Sequence, residues 1–366
     1  MSRRLIDPLS LVRPHLLELE PYAAVDPPEK LAARAGIAES ELVKLNANEN
    51  PYGPSPRVIE ALANLHRVHI YPDPAQTAMR EAVGRHAGVD PARVVVGNGS
   101  DELIDLLFRA VLPPEGAVID SVPTFGMYPF TAHVCGGRTV RVERGPRFEV
   151  DVDAVLAAAE REEARVIAVA SPNNPTANAT PLADLERLLS AGCLVIVDEA
   201  YYEFGGVNAA ELLPAHPNLA VLRTMSKWGG LAGLRVGYGL MAPELADLLL
   251  RAKPPYNVNQ AAEAALLASI ADAELLDERA ARIVAERERM RAALAEFDGL
   301  DPWPSDANFV LCGVPQGAGK TLFEALARQG VFVRYFSEPR LADFLRISVG
   351  TPHETERLVE ALAAAL

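Results

Sequence analysis

The run LVIVDEAY, residues 194–201, decides the fold class that this sequence predicts. Its first four residues are apolar, which is typical of a strand buried on both faces. Asp198 follows where that strand would end, and Tyr201 lies three residues further on. Ligands of open α/β sheets bind outside the carboxyl ends of the strands, so the run predicts a strand that delivers a carboxylate to a ligand. Taken alone, Asp198 fits a turn or a helix cap equally well.

Similar apolar runs on both sides alternate with segments of helical periodicity. Strands are predicted at residues 94–96, 117–120, 139–142, 166–170, 194–197, 220–224 and 235–240. Helices are predicted at residues 102–111, 126–135, 152–163 and 181–190. Because the strand runs are apolar throughout, they favour an α/β fold with a largely parallel sheet that helices cover on both faces.

The pattern changes after Pro254 and Pro255. The rest of the chain alternates one long helical region with short strands and two further helices. The helical segments are 258–296, 320–329 and 353–365, and the strands are 308–312, 331–336 and 345–349. We therefore predict a large domain over 45–255 and a smaller α+β domain over 256–366. Residues 1–44 would join the small domain and contain a short helix at 28–35, with Asp26 as its N-cap.

Composition limits the kinds of function. The chain has 366 residues, with 35 basic and 49 acidic side chains and a net charge of −14, which disfavours nucleic acid as a partner. It contains no apolar run long enough for a membrane span and no secretory signal, which favours the cytoplasm. Cys135, Cys193 and Cys312 are far apart and are interpreted as buried thiols. No metal site is predicted, since no ligands cluster at metal spacing.

Three further loops carry candidate chemistry. Lys227 follows Thr224-Met225-Ser226 at a strand end and precedes a glycine-rich stretch that leads to Arg235, whereas a lone lysine is usually a surface residue. Gly97-Asn98-Gly99-Ser100-Asp101 joins a strand to a helix, where glycines permit a tight turn and free N–H groups attract an anion. Residues 171–176, SPNNPT, fit an ordinary loop after a strand.

Together these loops resemble the fold-type I enzymes that use pyridoxal 5′-phosphate (PLP), specifically the class I/II aminotransferases. The family pattern is an Asn-Pro-(Thr/Asn)-Gly loop, Asp-x-x-Tyr, Ser/Thr-x-x-Lys and an Arg eight residues later. Here it reads NPT at 174–176, Asp198 to Tyr201, Thr224 to Lys227, and Arg235, in the same order. One departure is Ala177, which stands where the family usually has glycine.

The resemblance implies a role for each matching residue. Lys227 would carry the cofactor as a Schiff base and act as general base and acid, and Asp198 would pair with the protonated ring nitrogen. Tyr201 and Asn174 would donate to the phenolic oxygen, and Phe125 would stack on the ring unless it is a core aromatic. The residues that would hold the phosphate are Ser100, Asp101, Thr224, Ser226 and Arg235.

Other segments resemble one branch, the histidinol-phosphate aminotransferases: LNANENP at 45–51, YPD at 71–73 and FLRISVGT at 344–351. This implies a homodimer in which Tyr71 reaches the phosphate of the neighbouring subunit's PLP. It also implies that the substrates are histidinol phosphate and 2-oxoglutarate and that glutamate is a product. The residues that would contact substrate are Tyr22, Asn48, Arg334 and Arg346. For Tyr22 a packing role stays open, and for Arg334 a surface position at a strand edge.

Several alternatives remain at this stage. A threonine-phosphate decarboxylase or an aromatic or broad-range aminotransferase would use the same scaffold. A non-catalytic PLP-fold module of a regulator would need a DNA-binding segment, for which the first 40 residues are too short. A Rossmann dehydrogenase would need a third glycine after Gly97 and Gly99. The run GVPQGAGKT, 313–321, resembles a P-loop but has Val314 where that motif requires glycine, so ATP binding is not predicted.

Overall fold

The computed structural model describes residues 6–21 and 24–366 of the chain. Its strands are β1 (Val43–Lys44), β2 (Val94–Gly97), β3 (Ala117–Val122), β4 (Arg138–Glu143), β5 (Val166–Ala170), β6 (Leu194–Asp198), β7 (Leu219–Thr224), β8 (Gly237–Met241), β9 (Asp301–Pro302), β10 (Phe309–Gly313), β11 (Val331–Phe332), β12 (Arg334–Tyr335) and β13 (Phe344–Ser348).

The α-helices follow the same chain order. They are α1 (Pro28–Ala35), α2 (Pro56–Ala63), α3 (Thr77–Ala87), α4 (Ser100–Val111), α5 (Met127–Cys135), α6 (Val152–Arg161), α7 (Leu182–Leu188), α8 (Pro243–Ala252), α9 (Gln260–Ala271), α10 (Ala273–Ala295), α11 (Gly319–Arg328) and α12 (Pro352–Ala365). Short 3₁₀ helices lie at Pro8–Leu11, Pro14–Leu16, Glu39–Glu41, Pro91–Arg93, Leu189–Ala191, Tyr202–Phe204, Ala209–Leu212 and Ala232–Leu234.

Seven strands form one central sheet in the order β2-β8-β7-β6-β5-β3-β4. The pairs from β7 through β6, β5 and β3 to β4 are parallel, and β8 runs antiparallel to both β2 and β7. Residues of β5 and β6 are buried along their whole length, as their uninterrupted apolar sequences require. Two apolar cores lie against the two faces, so the predicted α/β class with a mostly parallel, covered sheet is confirmed.

A second sheet has the order β12-β13-β10-β9, and its paired strands run antiparallel. β1, near the N-terminus, pairs in parallel with β11, so the N-terminal segment packs with the C-terminal part of the chain. Helix α9 packs against α2 and α3, and therefore lies against elements that precede the sheet. The division at 44 and 255 stays a prediction.

The structure differs from the sequence prediction in several elements. Helices α2, α3 and α8 were not predicted, and the long helical region is broken at Asp272 into α9 and α10. The single strand at 331–336 is instead two short strands with different partners, β11 and β12. Asp26 is not the N-cap of α1, because Pro27 occupies that position and Asp26 pairs with Arg34.

The thiols are only partly as predicted. Cys193 and Cys312 are buried and free, but Cys135 is half-buried at the end of α5. Within residues 6–21 and 24–366, no helix has the length and apolar character needed to cross a membrane. The same ranges bring together no group of three His, Cys, Asp or Glu side chains that would bind a metal.

Candidate active site

The carboxyl ends of β5, β6 and β7 and the turn between β2 and α4 meet around a cavity of about 150 Å³. Ten residues predicted to hold the cofactor line it, so the tertiary structure brings together side chains from 100 to 235 in sequence. They are Ser100, Asp101, Phe125, Asn174, Asp198, Tyr201, Thr224, Ser226, Lys227 and Arg235. The cavity adjoins a cleft of about 1050 Å³ that reaches Asn48, Arg334 and Arg346.

Asp198 is the last residue of β6, and its side chain is buried. Its Oδ2 accepts a hydrogen bond of 2.9 Å from the hydroxyl of Tyr128, and its Oδ1 accepts one of 3.1 Å from the backbone N–H of Ala200. Burial raises the pKa of Asp198 to about 6, although the Tyr128 bond opposes that shift. At neutral pH the carboxylate is therefore mostly ionised, and it suits a cationic partner in the cavity.

Lys227 is partly buried at the border between the cavity and the cleft. Its Nζ donates to the backbone oxygen of Ala47 at 3.1 Å and lies 5.8 Å from the ring centre of Tyr201. Burial, followed by the positive charge of Arg346, lowers the pKa of Lys227 to about 8. An appreciable fraction of the amine is then neutral near pH 7, as nucleophilic or general-base chemistry requires.

A candidate anion site lies at the N-terminus of α4. The Arg235 guanidinium donates to Asp101 Oδ2 at 3.1 Å and to Ser226 Oγ at 3.2 Å, and the Thr224 hydroxyl donates to Ser226 Oγ at 3.0 Å. Gly99 precedes the helix with φ of +80°, and a Cβ there would lie 2.6 Å from Arg235 Nη2. The tight turn thus lets backbone N–H groups, hydroxyls and a guanidinium face one small volume.

The predicted substrate side contains a connected set of polar side chains. Arg346 is buried on β13 and donates to Asn174 Oδ1 at 2.6 Å and to the backbone oxygen of Asn46 at 2.7 Å. Asn48 Nδ2 donates to the Tyr201 hydroxyl at 3.1 Å. The bond from Arg346 couples the substrate side to Asn174, one of the predicted cofactor contacts.

The remaining predicted residues have different outcomes. Arg334 lines the cleft, with its guanidinium carbon 5.6 Å from the ring centre of Phe336. Tyr71 is 76% exposed and stacks on Tyr256 at 4.4 Å, and it is not among the residues that line the cavity. Tyr22 lies outside the described residues. The roles of all these residues stay predictions.

Sequence reasoning missed Tyr128 and Ser348. Tyr128 follows Phe125 by three residues in the sequence, but nothing in its spacing indicates that its hydroxyl meets a strand end 70 residues away. Ser348, two residues after Arg346, donates to Asn48 Oδ1 and accepts from the Asn48 backbone N–H, both at 2.9 Å. The alternation along β13 puts residues 346 and 348 on one face, and that was the available signal.

The departure at Ala177 proves to be conformational. Ala177 is fully buried and has φ of +66°, the left-handed region that glycine favours. Its N–H donates to the backbone oxygen of Asn173 at 2.8 Å, and its own oxygen accepts from Asp306 N–H at 2.8 Å. The loop therefore keeps a glycine-like turn while carrying a methyl group.

The fold and the site together define a class of protein: an α/β enzyme with a lysine, a buried carboxylate and an anion site around one cavity. These residues fit PLP. Asp198 suits a protonated ring nitrogen, Lys227 suits an aldehyde, and the anion site at Gly99 and Arg235 suits a phosphate. The side chains that surround a flat ring would be Phe125 and Tyr201.

The chain belongs to the aminotransferase class I and II family, whose model matches residues 40–362. It is 48% identical to histidinol-phosphate aminotransferase of Roseiflexus castenholzii, covering 96% of this chain and 97% of that protein. It is 44% identical to the chloroplastic histidinol-phosphate aminotransferase of Nicotiana tabacum, over 96% and 86% of the two chains.

Solved structures agree with this assignment. Histidinol-phosphate aminotransferase from Sinorhizobium meliloti, in complex with pyridoxal-5′-phosphate, superimposes with a TM-score of 0.88 at 29% identity, over 97% of each chain. L-threonine-O-3-phosphate decarboxylase from Porphyromonas gingivalis has a TM-score of 0.75 at 19% identity, a likeness of fold alone. The predicted family, fold type and cofactor are therefore confirmed: the chain is a PLP-dependent aminotransferase.

Proposed function

We propose that this enzyme transfers the amino group of L-histidinol phosphate to 2-oxoglutarate, giving imidazole-acetol phosphate and L-glutamate, a step of histidine biosynthesis. The observation that carries the proposal is Arg346, buried in the same cleft as Lys227 and bonded to Asn174. A phosphate and a carboxylate both accept from a guanidinium fork. The names of the full-length relatives support this substrate pair.

The chain's own residues divide the work as follows. Bound PLP supplies an electron sink for the charge that develops at the substrate Cα. The Lys227 amine would move a proton between the substrate Cα and C4′ of the cofactor. Its lowered pKa suits it to act first as a base and then as an acid. The ionised Asp198 would accept a hydrogen bond from the protonated ring nitrogen and so keep the proton there, and Tyr201 and Asn174 would donate to the phenolic oxygen. Arg346 and Arg334 orient the substrate's anionic end, with Asn48 and Tyr22 as further contacts.

We also propose that the enzyme is a homodimer whose two sites share residues, and that the reaction takes place in the cytoplasm. The support for the dimer is Tyr71, which is exposed and held by stacking on Tyr256 away from its own chain's cavity. Val68 is also exposed, at 72%, and the two side chains leave apolar surface available to a second copy.

The experiment that tests the substrate is a half-reaction followed by absorbance. Purified PLP-loaded enzyme is mixed separately with L-histidinol phosphate, L-threonine phosphate or L-phenylalanine, and conversion of the cofactor to its amino form is timed. We expect histidinol phosphate to react fastest. If phenylalanine reacts fastest, or if threonine phosphate releases carbon dioxide, the substrate assignment is wrong. Lys227→Ala is the control and should lose both multiple turnover and the absorption band of the lysine-bound cofactor.

Subunit complementation tests the shared site. In a mixture of Lys227→Ala and Tyr71→Phe enzymes, a mixed dimer contains one site with Lys227 of one chain and Tyr71 of the other, both intact. We expect activity to rise above the sum of the separate variants, with about a quarter of all sites restored after random exchange. Activity that merely equals that sum would place Tyr71 outside the neighbouring site.

A further inference from the structure

Tyr128 belongs to the site, but it is not part of the family motifs and has no role in the proposed mechanism. It lies on α5, is completely buried, and points its hydroxyl at Asp198 Oδ2, 2.9 Å away. Its ring meets that of Phe125 edge to face, with centroids 5.7 Å apart. The side chain thus connects the predicted ring-stacking residue to the carboxylate that faces the ring nitrogen.

The electrostatic surroundings of Tyr128 keep its proton in place. Asp198 lies on one side, and the buried carboxylate of Asp120, on β3, acts on it from another. Arg144 is the positive group in reach, and its guanidinium also donates to the backbone oxygens of Ser121 and Phe148. Burial and then Asp198 raise the pKa of Tyr128 well above its ordinary value. Near neutral pH the phenol therefore keeps its proton and donates to the ionised Asp198 carboxylate.

Both oxygens of Asp198 receive one hydrogen bond from the protein, one from Tyr128 and one from the backbone of Ala200. Such bonds stabilise the ionised form of a buried carboxylate, which burial otherwise penalises. Asp101 and Glu199 act on Asp198 in the opposite direction, since both are negative. The Tyr128 hydroxyl is thus the side-chain donor that offsets burial and like charge at Asp198.

We propose that Tyr128 is a positioning residue that keeps Asp198 ionised and fixed, so that the proton between Asp198 and the PLP ring nitrogen stays on the nitrogen. This rests on the proposed function for its catalytic meaning. Without the hydroxyl, the carboxylate gains proton affinity, and the proton moves from the nitrogen onto Asp198. A ring with a neutral nitrogen withdraws less electron density from the substrate Cα, so the Cα proton is removed more slowly.

The test uses the PLP-loaded enzyme with a nitrogen-15 label in the cofactor ring. In Tyr128→Phe we expect the ring-nitrogen NMR signal to move toward that of an unprotonated pyridine. The cofactor should also dissociate more readily. The half-reaction rate should fall on the order of tenfold, while KM for the substrates stays within about twofold because Arg346 is untouched.

Tyr238→Phe is the matched control. Tyr238 is also buried, but it lies opposite Arg223 in the β7–β8 pair, on the face of the sheet away from Asp198. It should leave the ring-nitrogen signal at the wild-type position. If Tyr128→Phe also leaves that signal unchanged, the proposal is wrong, whatever happens to the rate.

A second variant tests the proposal if Tyr128→Phe fails to fold or loses the cofactor. Replacing Tyr128 with 3-fluorotyrosine retains the ring and makes the hydroxyl a stronger donor, and it should shift the ring-nitrogen signal toward fuller protonation. An unchanged or opposite shift would overturn the proposal. The NMR comparison needs no amine substrate, so it stands even if histidinol phosphate proves to be the wrong substrate.

Discussion

At the scale of single residues, this site works by burying charges and giving each one a partner. Burial and the charge of Arg346 lower the pKa of Lys227. Burial raises the pKa of Asp198, and the hydrogen bond from Tyr128 opposes that rise. The two shifts bring the pKa values of an amine and a carboxylate toward neutral pH from opposite sides, which is common where proton transfer takes place. Arg346 contributes to the shift at Lys227 as a nearby positive charge, and it is also the hydrogen-bonded partner of Asn174.

Arg346 gives the prediction that belongs at this scale. Arg346→Ala removes charge-assisted hydrogen bonds to both proposed substrates, each bond being worth about 1.5–3 kcal/mol. We expect kcat/KM for histidinol phosphate and for 2-oxoglutarate to fall together, by about 10- to 100-fold. Steady-state kinetics with each substrate varied in turn is the measurement.

Arg346→Lys is the matched variant, since it keeps the charge and loses the planar fork. It should recover only part of the loss, because a lysine replaces two parallel bonds with a point charge. A defect confined to one of the two substrates would mean that they do not share this anion site.

At the scale of elements, the turn between β2 and α4 shows how backbone geometry creates the anion site. Gly99 has a positive φ and stands against Arg235, which itself adopts φ of +54° just before β8. The predicted strand at 235–240 therefore begins two residues late, at Gly237. Both departures from regular structure place a polar group beside the helix terminus, and such outliers concentrate at functional sites.

Gly99→Ala tests this element. The new Cβ would lie 2.6 Å from Arg235 Nη2 and would also force alanine into the left-handed region. We expect PLP to bind more than about tenfold more weakly, measured by equilibrium dialysis of the purified apoenzyme. Gly88→Ala is the control, because Gly88 has φ of +68° but no atom within 4 Å of its Cβ position. If both variants bind PLP equally, the clash with Arg235 is irrelevant to the phosphate site.

At the scale of the whole molecule, a buried cluster of charges lies on the face of the sheet opposite to Asp198. Glu199 and Arg223, both buried, form an ion pair of 2.8 Å that joins the ends of β6 and β7. Glu203 lies close by, and its Oε2 has no hydrogen-bond partner in the part of the chain that the structure describes. Burial raises the pKa of Glu203 to about 8.

Glu203 therefore predicts a pH dependence of stability. Its folded pKa lies above its ordinary value of 4.5, so its contribution to the free energy of unfolding is fully present below pH 4.5 and is lost as pH rises toward 8. Glu203→Gln resembles the protonated form at every pH. We expect the variant to gain stability over the wild type as pH rises from 6 to 9, by a few kcal/mol.

The measurement is urea unfolding at several pH values with the same PLP concentration throughout. Glu278→Gln, an exposed glutamate on α10, is the control and should differ from the wild type by a constant amount. A difference between Glu203→Gln and the wild type that does not change with pH would show that Glu203 is ionised in the folded protein over this whole range.

Local sequence predicted many of the strands and the motif residues of this protein. The apolar run 194–197 predicted β6, and the run 166–170 predicted β5 residue for residue, because a strand buried on both faces leaves no polar position. The motif residues were found because each lies where a strand meets a loop, and their order matched a family pattern. Helices α2 and α3 were missed, since α2 is short and neither has a long apolar stripe to set it apart from the loops around it.

By itself, the sequence predicted the α/β class and, through its resemblance to the family pattern, the cofactor and ten of the residues that line the cavity. Each depends on a periodicity of a few residues or on a fixed motif spacing, and both are properties of the chain before it folds. Only the tertiary structure decided that Tyr128 reaches Asp198, that Arg346 bonds to Asn174, and that Asn48 meets Tyr201. These contacts join residues 70 to 172 positions apart, and their distances depend on how whole strands and helices pack.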